Sequence, residues 1–144
     1  MTLHTASEAI SLAKQLENDS AKFYQELAQL AEKDAATFLA YAQTNKKNVA
    51  QIERAYYGVI TDAIEGCFAY NLEPENYVLN LDISPGAAYT ELLKQAIANE
   101  RTIIKYYQDA AEQSKGLMAD VPRTFALIAK KREQRLAELE ALAG

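Results

Sequence analysis

"ENDSAKFYQELAQ" (residues 17–29) and "ERTIIKYYQDAAE" (residues 100–112) are the two stretches on which the fold turns. In each, a glutamate is followed seven residues later by a tyrosine that closes an aromatic pair, Glu17 with Tyr24 and Glu100 with Tyr107. Each stretch then leads to a second helical segment that opens on phenylalanine, "FLAYAQTNKKN" (residues 38–48) and "FALIAKKREQR" (residues 125–135). Chance readily supplies one such match, but rarely both in the same order. The reading is a helical hairpin written twice, with a long connection between the copies.

Apolar spacing and capping signals delimit four helices. The first starts at Thr5 or Ser7, where Thr5 and Glu8 have the spacing of a capping box, and carries Ile10, Ala13, Leu16, Tyr24, Leu27 and Ala31 on one side with Glu17 inside the stripe. The second follows Asp34 as N-cap and runs through Phe38, Tyr41, Ala42, Ile52, Tyr56 and on to Val59, with Asn45 and Asn48 at core-like positions. The third opens at "SPG", with Ser84 capping and Pro85 in the first turn, and its stripe of Leu93, Ala96, Ile97, Ile103, Ile104, Tyr107 and Ala111 is interrupted by Glu100. The fourth starts near Asp120 and Pro122 and lines up Phe125, Ile128, Ala129, Leu136, Leu139 and Leu142, with Arg132 in mid-stripe and Arg135 at its edge. Short turns near residues 32–34 and 113–121 make each pair an antiparallel hairpin. The segment 62–85 is long enough for a crossover. Within it the second helix is expected to continue toward Phe68, and a turn at Pro74 to be followed by an extended piece over residues 77–81.

Composition narrows the class. Gly and Pro number only 5 and 3 in 144 residues, of which 49% are hydrophobic, so the chain reads as one helical domain, 1–144, able to bury a core. The net charge of −5 is spread along the sequence, which argues against a nucleic-acid or polybasic membrane partner. No apolar run approaches the roughly 20 residues that span a bilayer, and the first fifteen residues lack the layout of a secretory signal. Cys67, the only cysteine, reads as a small buried residue in a reducing compartment, and the expected location is cytoplasmic. His4, the only histidine, reads as an exposed terminal residue. Tyr56, Tyr57 and Tyr106 read as packing residues with wet hydroxyls.

These motifs resemble the rubrerythrin-like branch of the ferritin-like superfamily over nearly the whole chain. The resemblance implies an all-α, ferritin-like four-helix bundle of two repeated antiparallel hairpins. In that family two glutamates and two Glu-x-x-His motifs project inward and hold two iron atoms that react with peroxide or dioxygen. Glu17 and Glu100 match the single glutamates. Counting on from Phe38 and Phe125, the other four positions hold Asn45, Asn48, Arg132 and Arg135, so both Glu-x-x-His motifs are replaced. Iron needs lone pairs, whereas a guanidinium offers only donors and keeps its charge.

The expected centre is therefore metal-free. Glu17, Glu100, Arg132 and Arg135 converge with formal charges that sum to zero, Asn45 and Asn48 satisfy remaining donors and acceptors, and the hydroxyls of Tyr24 and Tyr107 contribute. No catalytic residue, metal ligand or cofactor is expected; iron enters only if this reading fails. Three function classes follow. The first is a non-catalytic scaffold or interaction protein, with aromatic content suited to a homodimer. The second is a di-iron or di-manganese oxidoreductase with a rearranged site that recruits Glu53 or Glu133. The third is a small-anion binder using the arginine pair with Asn45 and Asn48.

Overall fold

The computed structural model describes residues 1–58, 68–117 and 120–144. Val59, Cys67 and the continuation of the second helix across 59–67 lie outside the described residues. Among the described residues four long helices are present: α1 (Ala6–Leu30), α2 (Ala35–Tyr57), α3 (Tyr89–Gln113) and α4 (Asp120–Ala143). Two short strands accompany them, β1 (Leu3–Thr5) and β2 (Phe68–Leu72), along with 3-10 turns at Glu32–Asp34 and Pro74–Tyr77. Among the described residues no helix is long and apolar enough to cross a membrane.

The start of α1 follows from its sequence. Thr5 lies in the extended region, its hydroxyl accepts from the Glu8 amide at 3.2 Å, and the Glu8 carboxylate accepts from the Thr5 amide at 3.1 Å. Two of the donors that a helix start leaves unpaired are thereby satisfied. The same bonds, led by those from the His4 and Thr5 amides, lower the Glu8 pKa. Thr5→Ala removes one arm of the box and is expected to cost about 1 kcal/mol. Thermal denaturation against wild type measures it, and an unchanged melting temperature would show that the box does not hold the helix end.

Two other expected caps are not used as such. Asp34 precedes α2, but its side chain makes no cap bond and accepts instead from the Tyr89 hydroxyl. Ser84, Pro85 and Gly86 do not open α3, which begins at Tyr89. They form a turn in which the Ala87 amide donates to the Ser84 carbonyl at 3.1 Å and Gly86 takes φ +75°. Proline at the second position and a left-handed glycine at the third suit a type II turn better than a helix N-terminus.

Side-chain pairs fix the directions of the helices. Tyr24 packs on Phe38 and Lys14 meets Glu53, so α1 and α2 are antiparallel. Tyr107 packs on Phe125 and Arg101 meets Glu140, so α3 and α4 are antiparallel as well. Glu17 meets Tyr107 while Glu100 meets Tyr24, which sets α1 against α3 in opposite directions; Tyr41 with Glu138 and Gln51 with Lys131 do the same for α2 and α4. The chain therefore runs up, down, down, up. That order requires the connection between α2 and α3 to traverse the bundle.

The described part of this connection, residues 68–88, lies over the face formed by α1 and α3. β2 pairs antiparallel with β1, Leu3 opposite Leu72 and Thr5 opposite Phe68. The strand thus precedes Pro74, and the extended piece expected over 77–81 forms no strand: its backbone is tied to α3 side chains rather than to another strand. Asn99 exchanges two 2.9 Å bonds with the Asn80 backbone, and Gln95 donates to the carbonyls of Asn80 and Asp82. His4 is half-buried in β1, stacked on Phe68 with Nδ1 3.2 Å from the Tyr70 carbonyl, and is not a free terminal residue. Pairing with a distant strand, invisible in local sequence, holds it there.

Apolar side chains form two clusters. One gathers Leu16, Ile52, Tyr106, Ile128 and neighbours toward the β-strand end, the other Phe23, Phe38, Leu93, Leu139 and neighbours toward the opposite end. Between them lies a polar layer. Leu142, placed on the α4 stripe by spacing, is 39% exposed because the last turn of the helix runs past the core.

Candidate functional site

The polar layer brings together all six residues singled out on the inward faces. Glu17, Asn48, Glu100 and Arg132 are each 0% exposed, with Asn45 and Arg135 at 1% and 5%. Each helix supplies its share by periodicity alone. Residues three apart, such as Asn45 and Asn48 or Arg132 and Arg135, lie on one face of a helix, and burial of the flanking apolar stripe turns that face inward.

Arg132 is the hub. Its Nε and one terminal nitrogen donate to the two oxygens of Glu17 at 3.0 and 2.9 Å, a bidentate fork, and its other terminal nitrogen donates to Glu100 Oε1 at 2.6 Å. One cation thus ties α4 to both α1 and α3. Arg135 sits closer to the far end. It donates to Asn45 Oδ1 at 2.8 Å and to the Tyr41 carbonyl at 3.3 Å, and it lies 3.6 Å from Glu100 Oε2. Its guanidinium carbon is 5.3 and 4.6 Å from the ring centroids of Tyr24 and Tyr41, so cation–π attraction replaces part of its lost hydration.

The supporting groups cross between hairpins. Tyr24 donates to Glu100 at 2.5 Å, and Tyr107 donates to Glu17 at 2.6 Å. Each hairpin's tyrosine therefore serves the other hairpin's glutamate. Asn45 donates to the Glu17 carbonyl and Asn48 to Glu17 Oε1, both at 3.1 Å. Among the described residues, Asn48 Oδ1 is the one side-chain acceptor of the layer without a partner.

Ionisation follows from this geometry. Burial pushes the Glu100 carboxyl upward, but Arg132 and Arg135 together with the hydrogen bonds from Tyr24 and Arg132 outweigh it, leaving the group below the ordinary carboxylate value. Burial works against the Arg132 cation too, and Glu100 and Glu17 overcome it, raising its pKa well above the usual arginine value. Tyr24 and Tyr107 are held well above the ordinary phenol, first by burial and then by the adjacent carboxylates Glu100 and Glu17. Glu100 and Arg132 thus face each other as a charged pair, with the neutral phenols of Tyr24 and Tyr107 beside them.

This donor set does not suit a bound metal. Arg132 lies between the two carboxylates and, with Tyr24, Tyr107 and Asn48, donates to all four of their oxygens, while Asn45 and Arg135 face each other rather than a common point. Glu53 and Glu133 lie outside the layer: Glu53 pairs with Lys14 at 3.3 Å on the rim, and Glu133, exposed, accepts from Gln108. Among the described residues, no three histidine, cysteine, aspartate or glutamate side chains gather as a metal site would require. The arginine donors, for their part, are already directed at Glu17, Glu100, Asn45 and the Tyr41 carbonyl instead of an open pocket.

Two tyrosines depart from expectation. Tyr41 belongs to the site through its carbonyl and ring, and its hydroxyl donates to Glu138 at 2.6 Å. Its position one helical turn before Asn45 was the available signal. Tyr106 is fully buried, not wet at its hydroxyl, which donates to the Ala9 carbonyl at 2.5 Å. An α1 carbonyl takes the role expected of water there. No protein-family model matches the chain, and no curated protein or solved structure is similar enough to match it.

Proposed function

We propose that the protein is a ferritin-like bundle in which a buried Glu–Arg–Asn network stands in the place of a dinuclear metal centre, and that it acts without catalysis, as a scaffold or interaction protein. The observation that carries this reading is the Arg132 guanidinium, wholly buried and hydrogen-bonded to both Glu17 and Glu100. A permanent cation between two carboxylates does electrostatically what a metal ion would do, but it opens no coordination position to oxygen or peroxide. The repeated Glu and Tyr spacing and the up, down, down, up course support the ferritin-like part of the proposal.

Elemental analysis of protein produced with added iron or manganese tests it. The expected result is far less than one metal per chain in both media. About two metals per chain, retained through gel filtration and lost in Glu17→Gln, would overturn the reading and restore the oxidoreductase.

A further inference from the structure

The bundle has two broad faces of different character. The one formed by α1 and α3 is covered by the crossover, whereas no described element covers the one formed by α2 and α4. Here a shallow groove of about 290 Å³ is lined by Gln51, Arg54 and Ala55 from α2 and by Arg123, Thr124 and Leu127 from α4, with Asp120 at its end. Leu127 is 50% exposed in its floor.

Basic side chains outnumber acidic ones on this face, where Asp120 and Glu138 supply the carboxylates. Lys47 and Arg54 are seven residues apart and so share one stripe of α2, while Arg123 and Lys131 flank Leu127 on α4. Of the four, only Arg123 has an ion partner among the described residues, the exposed Asp120 at 3.6 Å; Lys131 donates to the neutral Gln51. In a protein of net charge −5, three of these four cations thus lack an ion partner among the described residues, on a face that also carries the carboxylates of Asp120 and Glu138, with Leu127 between the two helices.

We propose that this groove docks an acidic amphipathic helix of a partner protein. A groove between antiparallel helices accepts the ridge of a third helix. The cation spacing defines the guest: Lys47 to Arg54 spans about 10 Å along α2, and Arg123 to Lys131 about 12 Å along α4. The guest carries apolar residues on a narrow central stripe, against Leu127 and Ala55, and carboxylates on both flanks about two turns apart. The proposal rests on the interaction role given above but not on the metal-free centre, so either can fail alone.

A three-heptad synthetic peptide with Ala and Leu on one stripe and Glu on both flanks is the probe, with the same peptide carrying Lys flanks as its control. Fluorescence anisotropy is expected to show binding of the Glu peptide only. Its affinity should weaken about tenfold between about 50 and about 300 mM salt, and about tenfold or more in Arg54→Glu with Arg123→Glu. These side chains are solvent-facing, so helix content and melting should be retained; Arg54→Ala serves if the double reversal disturbs folding. Failure of the Glu peptide to bind, equal binding of both peptides, or binding indifferent to the arginine variants would overturn the proposal. So would light scattering showing that wild type self-associates and that the arginine variants do not, because the face would then belong to a second copy of the chain.

Discussion

Arg132→Met is expected to lower stability by about 3–5 kcal/mol, a large share of what a domain of this size possesses. The reason is asymmetric. The intact ion pairs contribute little net free energy over a well-packed apolar layer, since desolvation of three charges offsets their attraction. Removing the guanidinium alone leaves Glu17 and Glu100 buried in a site 0% exposed, with Arg135 as the nearest cation, 3.6 Å from Glu100. One carboxyl must then protonate or drag water inward. Urea denaturation followed by helix content measures the loss, and a decrease under about 1 kcal/mol would show that Arg132 is not the hub.

A double-mutant cycle isolates the pair. Glu17→Gln removes the acceptor of the bidentate fork and is expected to destabilise by itself, whereas Glu17→Gln in the Arg132→Met background should cost much less. The expected coupling is about 1–3 kcal/mol; effects that simply add would mean that the two groups do not meet.

Raising the pH should unfold the protein cooperatively at about pH 11 to 12. Tyr24, Tyr106 and Tyr107 are buried with pKa values well above the ordinary 10.0, in each case first because of burial and then because of nearby Glu100, Tyr70 and Glu17 respectively. The folded state holds these protons more tightly than the unfolded chain. Their contribution is therefore complete below the unfolded value and is lost as pH rises through the folded values. At 1.5 pH units above the unfolded pKa each phenol amounts to about 2 kcal/mol, and three together rival the whole stability. Tyrosinate absorbance from the buried phenols should appear only in step with the loss of helical circular dichroism. If those phenols ionised near pH 10 with the helices intact, the hydroxyl bonds to Glu100, Ala9 and Glu17 would be refuted.

Arg132, Tyr24 and Tyr107 belong to one layer and Tyr106 to the apolar cluster beside it, and both predictions follow from their burial. A surface salt bridge such as Arg101 with Glu140 at 3.4 Å, each partner more than half exposed, would give neither effect, because water compensates whatever is removed. Burial turns the same functional groups into a layer that must remain complete.

Glu17, Asn45, Asn48, Glu100, Arg132 and Arg135 were each legible in the sequence, because a polar residue on an otherwise apolar helical stripe has only the interior to point toward. The Thr5 and Glu8 box was legible too, being a bond between neighbours. Who bonds with whom was not. Nothing in the spacing says that Tyr24 serves Glu100 rather than Glu17, that Arg135 reaches the Tyr41 carbonyl, or that Phe68–Leu72 pairs with the chain's first residues. Periodicity records which side of a helix loses water, and that depends only on residues within a few turns. Partners, register and the bend at Gly86 depend on groups brought together from distant parts of the chain, and these are settled only when the helices pack and every buried charge must find its complement.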